Sequence, residues 1–355
     1  MTTLASSASN TAAPAASQAA RSEGVWHAAW RRFKTDRVGV VCALIVLAFL
    51  VLIAFSALGV VAKNWQAEVG VANAPPTFMG ARPPEAIGTI EVPKGPNADL
   101  SAVDPLAPRY AEIEEAAKKY RTTESAKAET LPMGGDKLGR DVLAKAVKGT
   151  EISVFVGVLA AVLATLIGTL LGALAGFFGG KVGDLLEWLY NVFEAIPGIL
   201  LIFAFAAVFG RGIGTVVLIL GLTGWTGLYR QVRAEFMKHG GREYVRAAEA
   251  IGASAWSRMF KHILPNISHV ILVRMGLLVV GFIKAEVILS YLGLGVGVED
   301  VSWGTMLAEA QSELILGHWW QLAAATLFMC VFVTAFSLLA DAVRDALDPK
   351  LRGLE

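Results

Sequence analysis

Six side chains able to carry charge or hydrogen bonds lie inside stretches that are otherwise apolar. Glu187, Asn191 and Glu194 recur at helical spacing along one face of residues 185–209, and Arg274, Lys284 and Glu286 fall within residues 267–292. An ionised group near the middle of a bilayer costs about 2.5 to 3.5 kcal/mol on insertion scales, so such groups turn toward a cavity or a partner helix. The chemistry open to them is that of a polar path, either contact with a solute or relay of an ion. Glu187 and Glu194 have a plainer alternative, a place near an aqueous mouth where they reach water. Glu286 lies on a different face from Lys284, because i and i+2 do not align on a helix. It therefore needs a donor on another helix, a backbone N–H near Gly293 or a partner chain.

Bond-making chemistry is not indicated. GGKVGD at residues 179–184 comes nearest to a phosphate loop, but Val182 stands where Ser or Thr is required and the first glycine is missing. Neither H-E-x-x-H nor a nucleophile motif occurs. Cys42 and Cys330 each sit in an apolar run, which predicts two buried, inert thiols rather than a disulfide or a metal site. The expectation is a chain that is not an enzyme, with no catalytic residue, no metal ligand and no cofactor of its own.

The elements that must position the six residues follow from composition. With 355 residues, 55% hydrophobic and only 17% charged, and a mean hydropathy of +0.56, the chain reads as an all-α polytopic membrane protein with about six transmembrane helices. The net charge of +1 hides a strong separation of charge along the chain. Residues 1–37 form an N-terminal tail whose Arg31, Arg32, Lys34 and Arg37 precede a first span at 38–61 and keep the terminus inside the cell. A cleaved signal peptide would have a shorter apolar region. Residues 62–145, rich in Pro, Ala and Glu, read as an extracytoplasmic insertion, helical only near 110–127. It is either a solvated linker or a surface for a partner.

The core, residues 146–342, holds the remaining spans: 152–178, 185–209 kinked at Pro197, 215–229, 267–292 and 319–340. Gly168, Gly172 and Gly176, spaced by four, are placed for close helix contact. Trp319 and Trp320 suit an aromatic belt. Residues 343–355 form a second inner tail.

Within this core the polar stretch 240–266, GGREYVRAAEAIGASAWSRMFKHILPN, must reach water. Tyr244, Ala247, Ala248 and Ile251 share one helical stripe, and Trp256, Met259, Phe260 and Ile263 share another. Gly252 suits a left-handed turn, Ser254 a cap and Pro265 a stop, so a helix-turn-helix is predicted. Arg242, Arg246, Arg258 and Lys261 place it in the cytoplasm. Its apolar faces have three destinations: lipid, the chain's own bundle or a partner.

The order R-A-A-E-A-I-G followed by H-I-L-P resembles the "EAA" loop of ABC importer permeases, which reads E-A-A, three residues, Gly, nine residues, I-x-L-P. Arg246, Ala247, Ala248, Gly252, Leu264 and Pro265 occupy those slots, with Arg246 in place of Glu and His262 in place of Ile. MGGDKLGRDV at 133–142 resembles the L-G-T-D-x-x-G-R-D-V entry of peptide and nickel permeases, Gly135 standing for Thr. EVILSYLGLG at 286–295, WGTML at 303–307 and the tail from Asp341 to Leu351 continue the resemblance, although 299–302 lack the usual Pro-Pro.

The resemblance implies an inner-membrane permease subunit of the dipeptide, oligopeptide and nickel family, similar to the second permease of those systems. It assigns Glu243, Tyr244, Arg246, Ala247, Ala248, Gly252, Trp256, Leu264 and Pro265, within a loop at 236–266, to coupling with an ATPase. It implies a second homologous permease, two cytoplasmic ATPase subunits that hold ATP and magnesium, and an extracytoplasmic solute-binding protein. Membrane lipid is a further partner and nucleic acid is not. The location implied is the bacterial inner membrane, with both termini cytoplasmic. The competing class is a secondary transporter or channel in which Glu194, Arg274, Lys284 and Glu286 relay an ion. An inverted repeat would favour it, and none is visible.

Overall fold

The structure is a computed structural model and describes residues 25–81, 106, 109–118 and 127–347. Expectations for residues 1–24, for the middle of the insertion and for Asp348, Pro349, Lys350 and Leu351 of the closing motif lie outside the described residues. Among the described residues the regular elements are helices, joined by isolated β-bridges only. They are α1 (Val25–Thr35), α2 (Arg37–Ala57), α3 (Tyr110–Lys118), α4 (Val142–Phe178), α5 (Gly180–Glu194), α6 (Gly198–Phe209), α7 (Ile213–Thr223), α8 (Thr226–Gly240), α9 (Glu243–Ala250), α10 (Ala255–Ser257), α11 (Leu264–Tyr291), α12 (Trp303–Ile315) and α13 (Trp320–Leu347).

By length and composition, α2, α4 and α13 are each able to cross a membrane, and the bent pairs α5/α6 and α7/α8 make up to five such segments. The sixth expected segment is α11, whose 28 residues carry Arg274, Lys284 and Glu286. At 1.5 Å per residue it is about 42 Å long, more than the roughly 30 Å of hydrocarbon.

Three boundaries differ from the sequence reading. Residues 185–209 are not one continuous helix: α5 and α6 meet at 85°, a full break at Pro197 rather than a kink. Pro197 has no N–H to donate and disfavours helix at Ile196, so it stands as the cap of α6 rather than inside a continuous helix. The fourth segment breaks between Thr223 and Thr226, with a 41° bend. The second begins at Val142 rather than near 152, where the Asp141 carboxylate accepts from the Leu143 N–H at 2.8 Å.

The bundle is built around α4. A Cβ added at Gly168, Gly172 or Gly176 would come within 2.8, 2.7 and 2.6 Å of the carbonyl oxygens of Trp225, Tyr229 and Arg233. The four-residue glycine row therefore lies directly on the α8 backbone, as small-residue rows do where helices approach closely. Overpacking such a contact costs about 1–3 kcal/mol. Gly172→Leu is accordingly expected to lower the thermal midpoint of the purified chain, and Gly281→Leu, at a glycine with open space around it, to leave it near wild type. Equal midpoints would remove the close contact.

Two aromatic and thiol expectations are corrected. Trp320 is not in a surface belt: it is buried, and its Nε1–H donates to the Gly135 carbonyl at 2.7 Å. Trp319 is partly exposed beside Phe78, ring centres 6.4 Å apart. Cys42 is buried, but Cys330 is exposed on α13. In a membrane protein the lipid face is as apolar as the core, so an apolar run does not tell inside from outside.

Candidate functional site

The polar loop begins where α8 ends at Gly240, turns, and forms α9. Gly252 then takes φ +85°, a left-handed conformation natural to glycine, and the Ser254 hydroxyl accepts from the Ser257 N–H at 3.3 Å to start α10. The next helix does not stop at Pro265, as its position predicts. It passes through a π-helical turn, Arg258–Ile263, and runs on into α11. A proline ring clashes with the carbonyl four residues earlier in a regular α-helix, and the wider turn just before Pro265 accommodates it. Asn266 Nδ2 donates to the His262 carbonyl at 2.6 Å in the same turn.

The two predicted stripes are each split between inside and outside. Val245, Met259 and Ile263 are buried in one cluster with Ala173 of α4, Leu228, Val232 and Phe236 of α8 and Ile267 of α11, and Ala248 is buried as well. Leu264 packs against the same cluster. Tyr244, Ala247, Ile251, Trp256 and Phe260 remain exposed, Ile251 at 85% and Trp256 at 56%. The Trp256 and Phe260 rings stack with centres 5.5 Å apart.

Polar contacts hold this posture. Arg258 Nη1 pairs with Glu249 Oε1 at 2.6 Å while its guanidinium lies over the Phe177 ring at 5.3 Å. His239 Nδ1 and the Tyr244 hydroxyl are 2.7 Å apart. Glu243 and Arg246 are exposed, and the position of a Gly252 Cβ has nothing within 4 Å. The loop is thus anchored on one face and presents an open apolar face on the other.

The six residues of the polar path do not converge within this chain. Glu187 Oε2 accepts from the Tyr229 hydroxyl at 3.3 Å and pairs with Arg233 Nη1 at 3.1 Å, which turns it toward α8. Asn191 and Glu194 are exposed on α5, and Lys284 is exposed on α11. Arg274 is half-buried against α8, where a Gly227 Cβ would lie 2.9 Å from its Nη2.

Glu286 is fully buried. Its Oε2 accepts from the Ser153 hydroxyl at 2.7 Å and its Oε1 from the Ser290 hydroxyl at 2.6 Å. Ser153 Oγ in turn accepts from the Trp303 N–H, and Ser290 Oγ from the Val296 N–H, both at 3.2 Å. One carboxylate thereby joins α4, α11, the Gly293 turn and the start of α12, with Lys284 on another face as the helical spacing requires.

A second cluster was not singled out by sequence. Lys145 is fully buried; its ammonium contacts Asp136 Oδ2 at 2.8 Å, Gln321 Oε1 at 3.2 Å and the Glu309 carboxylate. Asp136 also accepts from the Leu138 and Arg140 N–H groups, each at 2.9 Å, and from Arg140 Nε at 2.6 Å. Burial alone would raise the Asp136 carboxyl, but Lys145 and Arg140 outweigh it and hold it below its ordinary value. For Glu313, whose Oε1 accepts from the Lys137 N–H at 3.0 Å, burial prevails and pushes the carboxyl up. The D-x-x-G-R-D motif pointed to Asp136 and Arg140. No local pattern pointed to Lys145, whose partners Glu309 and Gln321 lie 164 and 176 positions away.

Comparison with known proteins places these features. Residues 168–353 match the family described as binding-protein-dependent transport system inner membrane component, and residues 24–76 match the N-terminal TM domain of oligopeptide transport permease C. The chain is 39% identical over 219 residues to the dipeptide transport system permease protein DppC of Bacillus subtilis, covering 62% of this chain and 68% of that protein. It is 38% identical over 238 residues to the oligopeptide transport system permease protein OppC of the same organism, covering 66% and 78%. With the dipeptide transport system permease protein DppC of Lactococcus lactis the identity is 29% over 322 residues, covering 91% of this chain and 90% of that protein.

Proposed function

Because this chain belongs to the family of binding-protein-dependent transport system inner membrane components, we propose that it forms half of the membrane path of an ATP-driven importer for peptides or related small solutes, such as nickel chelates or opines. A second, homologous permease completes the path, two cytoplasmic ATPase subunits hold ATP and magnesium, and an extracytoplasmic binding protein delivers the solute. The chain itself contributes no catalytic group. It sits in the bacterial inner membrane with both termini and the 236–266 loop in the cytoplasm, the side on which basic residues accumulate.

The observation that carries this reading is the divided polar loop. A helix pair lying on lipid would bury its most apolar residues there, and one that merely closes its own bundle would leave none. Here Val245, Met259 and Ile263 fasten the loop to α4 and α8 while Tyr244, Ile251, Trp256 and Phe260 stay open. That is the form of a rigidly mounted docking face, with Glu243, Arg246, Ala247 and Gly252 beside it, able to pass a partner's motion into α8 and α11. An ion relay draws no comparable support, since both Glu286 oxygens are engaged by serines of the bundle.

The test is reconstitution. The affinity-tagged full chain is expected to co-purify a second permease and an ATPase, and proteoliposomes of that complex to take up labelled di- and oligopeptides only with binding protein outside and ATP with magnesium on the ATPase side. Uptake by the isolated chain under a proton or sodium gradient, indifferent to ATP, would overturn the proposal in favour of a secondary transporter.

A further inference from the structure

A cleft of about 300 Å³ opens between α8, α11 and α13 at the end of the bundle that carries the polar loop. Its polar lining is Gln231 from α8, His269 and Arg274 from α11, and Arg344 from α13, and no acidic side chain among the described residues lines it. Arg274 Nε is buried without a hydrogen-bond partner, and Gly227 leaves room for the guanidinium to lie against α8. Two arginines that line one cleft from separate helices, with no carboxylate of the described residues in its lining, are electrostatically unfavourable until an anion joins them.

The rest of the lining is aliphatic, including Val273, Leu277 and Leu347. Leu347 is also a wall of a second groove of about 310 Å³ between α1 and α13, lined by apolar side chains such as Trp30, Phe33 and Val343. That groove follows α13 from Leu347 back to Leu339, about two turns toward the middle of the helix. A cationic cleft beside an apolar groove has the chemistry of an amphiphile's site, head in the first and tail in the second.

We propose that the α8/α11/α13 cleft binds an anionic phospholipid, with its phosphate held by Arg274 and Arg344, Gln231 and His269 beside it, and one acyl chain lying along the α1/α13 groove. The inference rests on the orientation proposed above, which puts this end of the bundle at the cytoplasmic leaflet. Basic pockets between helices at that surface suit anionic headgroups. The position joins three elements, α8 and α11 on either side of the loop and α13, so an occupying lipid braces the mount of the docking face.

The test is lipid retention by the detergent-purified full chain, read by native mass spectrometry, which does not depend on transport. Phosphatidylglycerol is expected to be retained in preference to phosphatidylcholine of the same acyl chains. R274Q/R344Q should weaken phosphatidylglycerol retention by roughly tenfold or more, the scale set by removing two interfacial cations, and leave phosphatidylcholine unchanged. Equal retention of the two lipids by the wild-type chain would overturn the proposal, and this comparison stands even if the double variant does not fold. Glycerol phosphate competing as well as phosphatidylglycerol would make the cleft a site for a free anion and also overturn it. If the lipid is retained while the reconstituted complex fails to import peptide, the functional reading falls and the lipid site remains.

Discussion

A chain carrying Trp256→Ala is expected to insert and accumulate normally yet to lose its ATPase. Trp256 is more than half exposed and its ring stacks on the exposed Phe260, so its removal should change stability by about 0.5 kcal/mol, the range of ordinary surface substitutions. At an interface the same truncation of a central aromatic anchor costs about 2 kcal/mol or more, a loss of roughly thirtyfold in affinity. Co-purification of the ATPase and ATP-dependent uptake should fall together while the thermal midpoint stays put. Normal co-purification with normal uptake would show that the open face is not where the ATPase docks. Gly252→Trp addresses the same face, since nothing lies within 4 Å of the added Cβ. It also loads a left-handed backbone at a penalty of about 1–2 kcal/mol, so Trp256→Ala is the cleaner measurement.

The largest effect on stability is expected at Lys145. Lys145→Met keeps the unbranched shape and most of the length of the side chain and removes the charge that faces Asp136 and Glu309, leaving Arg140 as the remaining cation between two carboxylates. Breaking a buried ion pair by removing one partner costs about 3–5 kcal/mol, because the desolvated opposite charge is left uncompensated. The purified variant should melt far below wild type or fail to accumulate, although Lys145 touches neither the polar loop nor any of the six path residues. Adding Glu309→Gln, which leaves Asp136 and Arg140 as a one-to-one ion pair, should restore much of the loss, since no buried charge is then left uncompensated. A single variant as stable as wild type would show that the cluster does not hold the start of α4 to α12 and α13.

Much of the fold was legible because it follows from local physics. Apolar runs long enough for a bilayer marked the segments, and the glycine row at 168, 172 and 176, placed for close helix contact by its spacing, meets a helix backbone. The Gly252 turn and the Ser254 cap stand where their chemistry placed them. The turn and the cap depend on neighbours within a turn or two of helix, and the glycine row shows in its own four-residue spacing.

What only tertiary structure decided is which side of each helix meets protein. Periodicity grouped Trp256, Met259, Phe260 and Ile263 as one stripe, yet Met259 and Ile263 are fully buried while Trp256 and Phe260 are open, because the positions of α4 and α8 draw the boundary through that stripe. Cys330 and Trp320 exchanged their expected surroundings for the same reason. Pro265 read as a stop because its own ring ends an α-helix, but a π turn upstream lets the chain continue. Glu286 was known to need a donor, and Lys145 was not singled out at all; besides the near partners Ser290 and Asp136, 4 and 9 positions away, they draw on Ser153, Glu309 and Gln321 at 133, 164 and 176 positions. Sequence spacing fixes which side chains share a helix face, whereas the pairing of buried charges is fixed by how distant helices are brought together, and no local pattern encodes that distance.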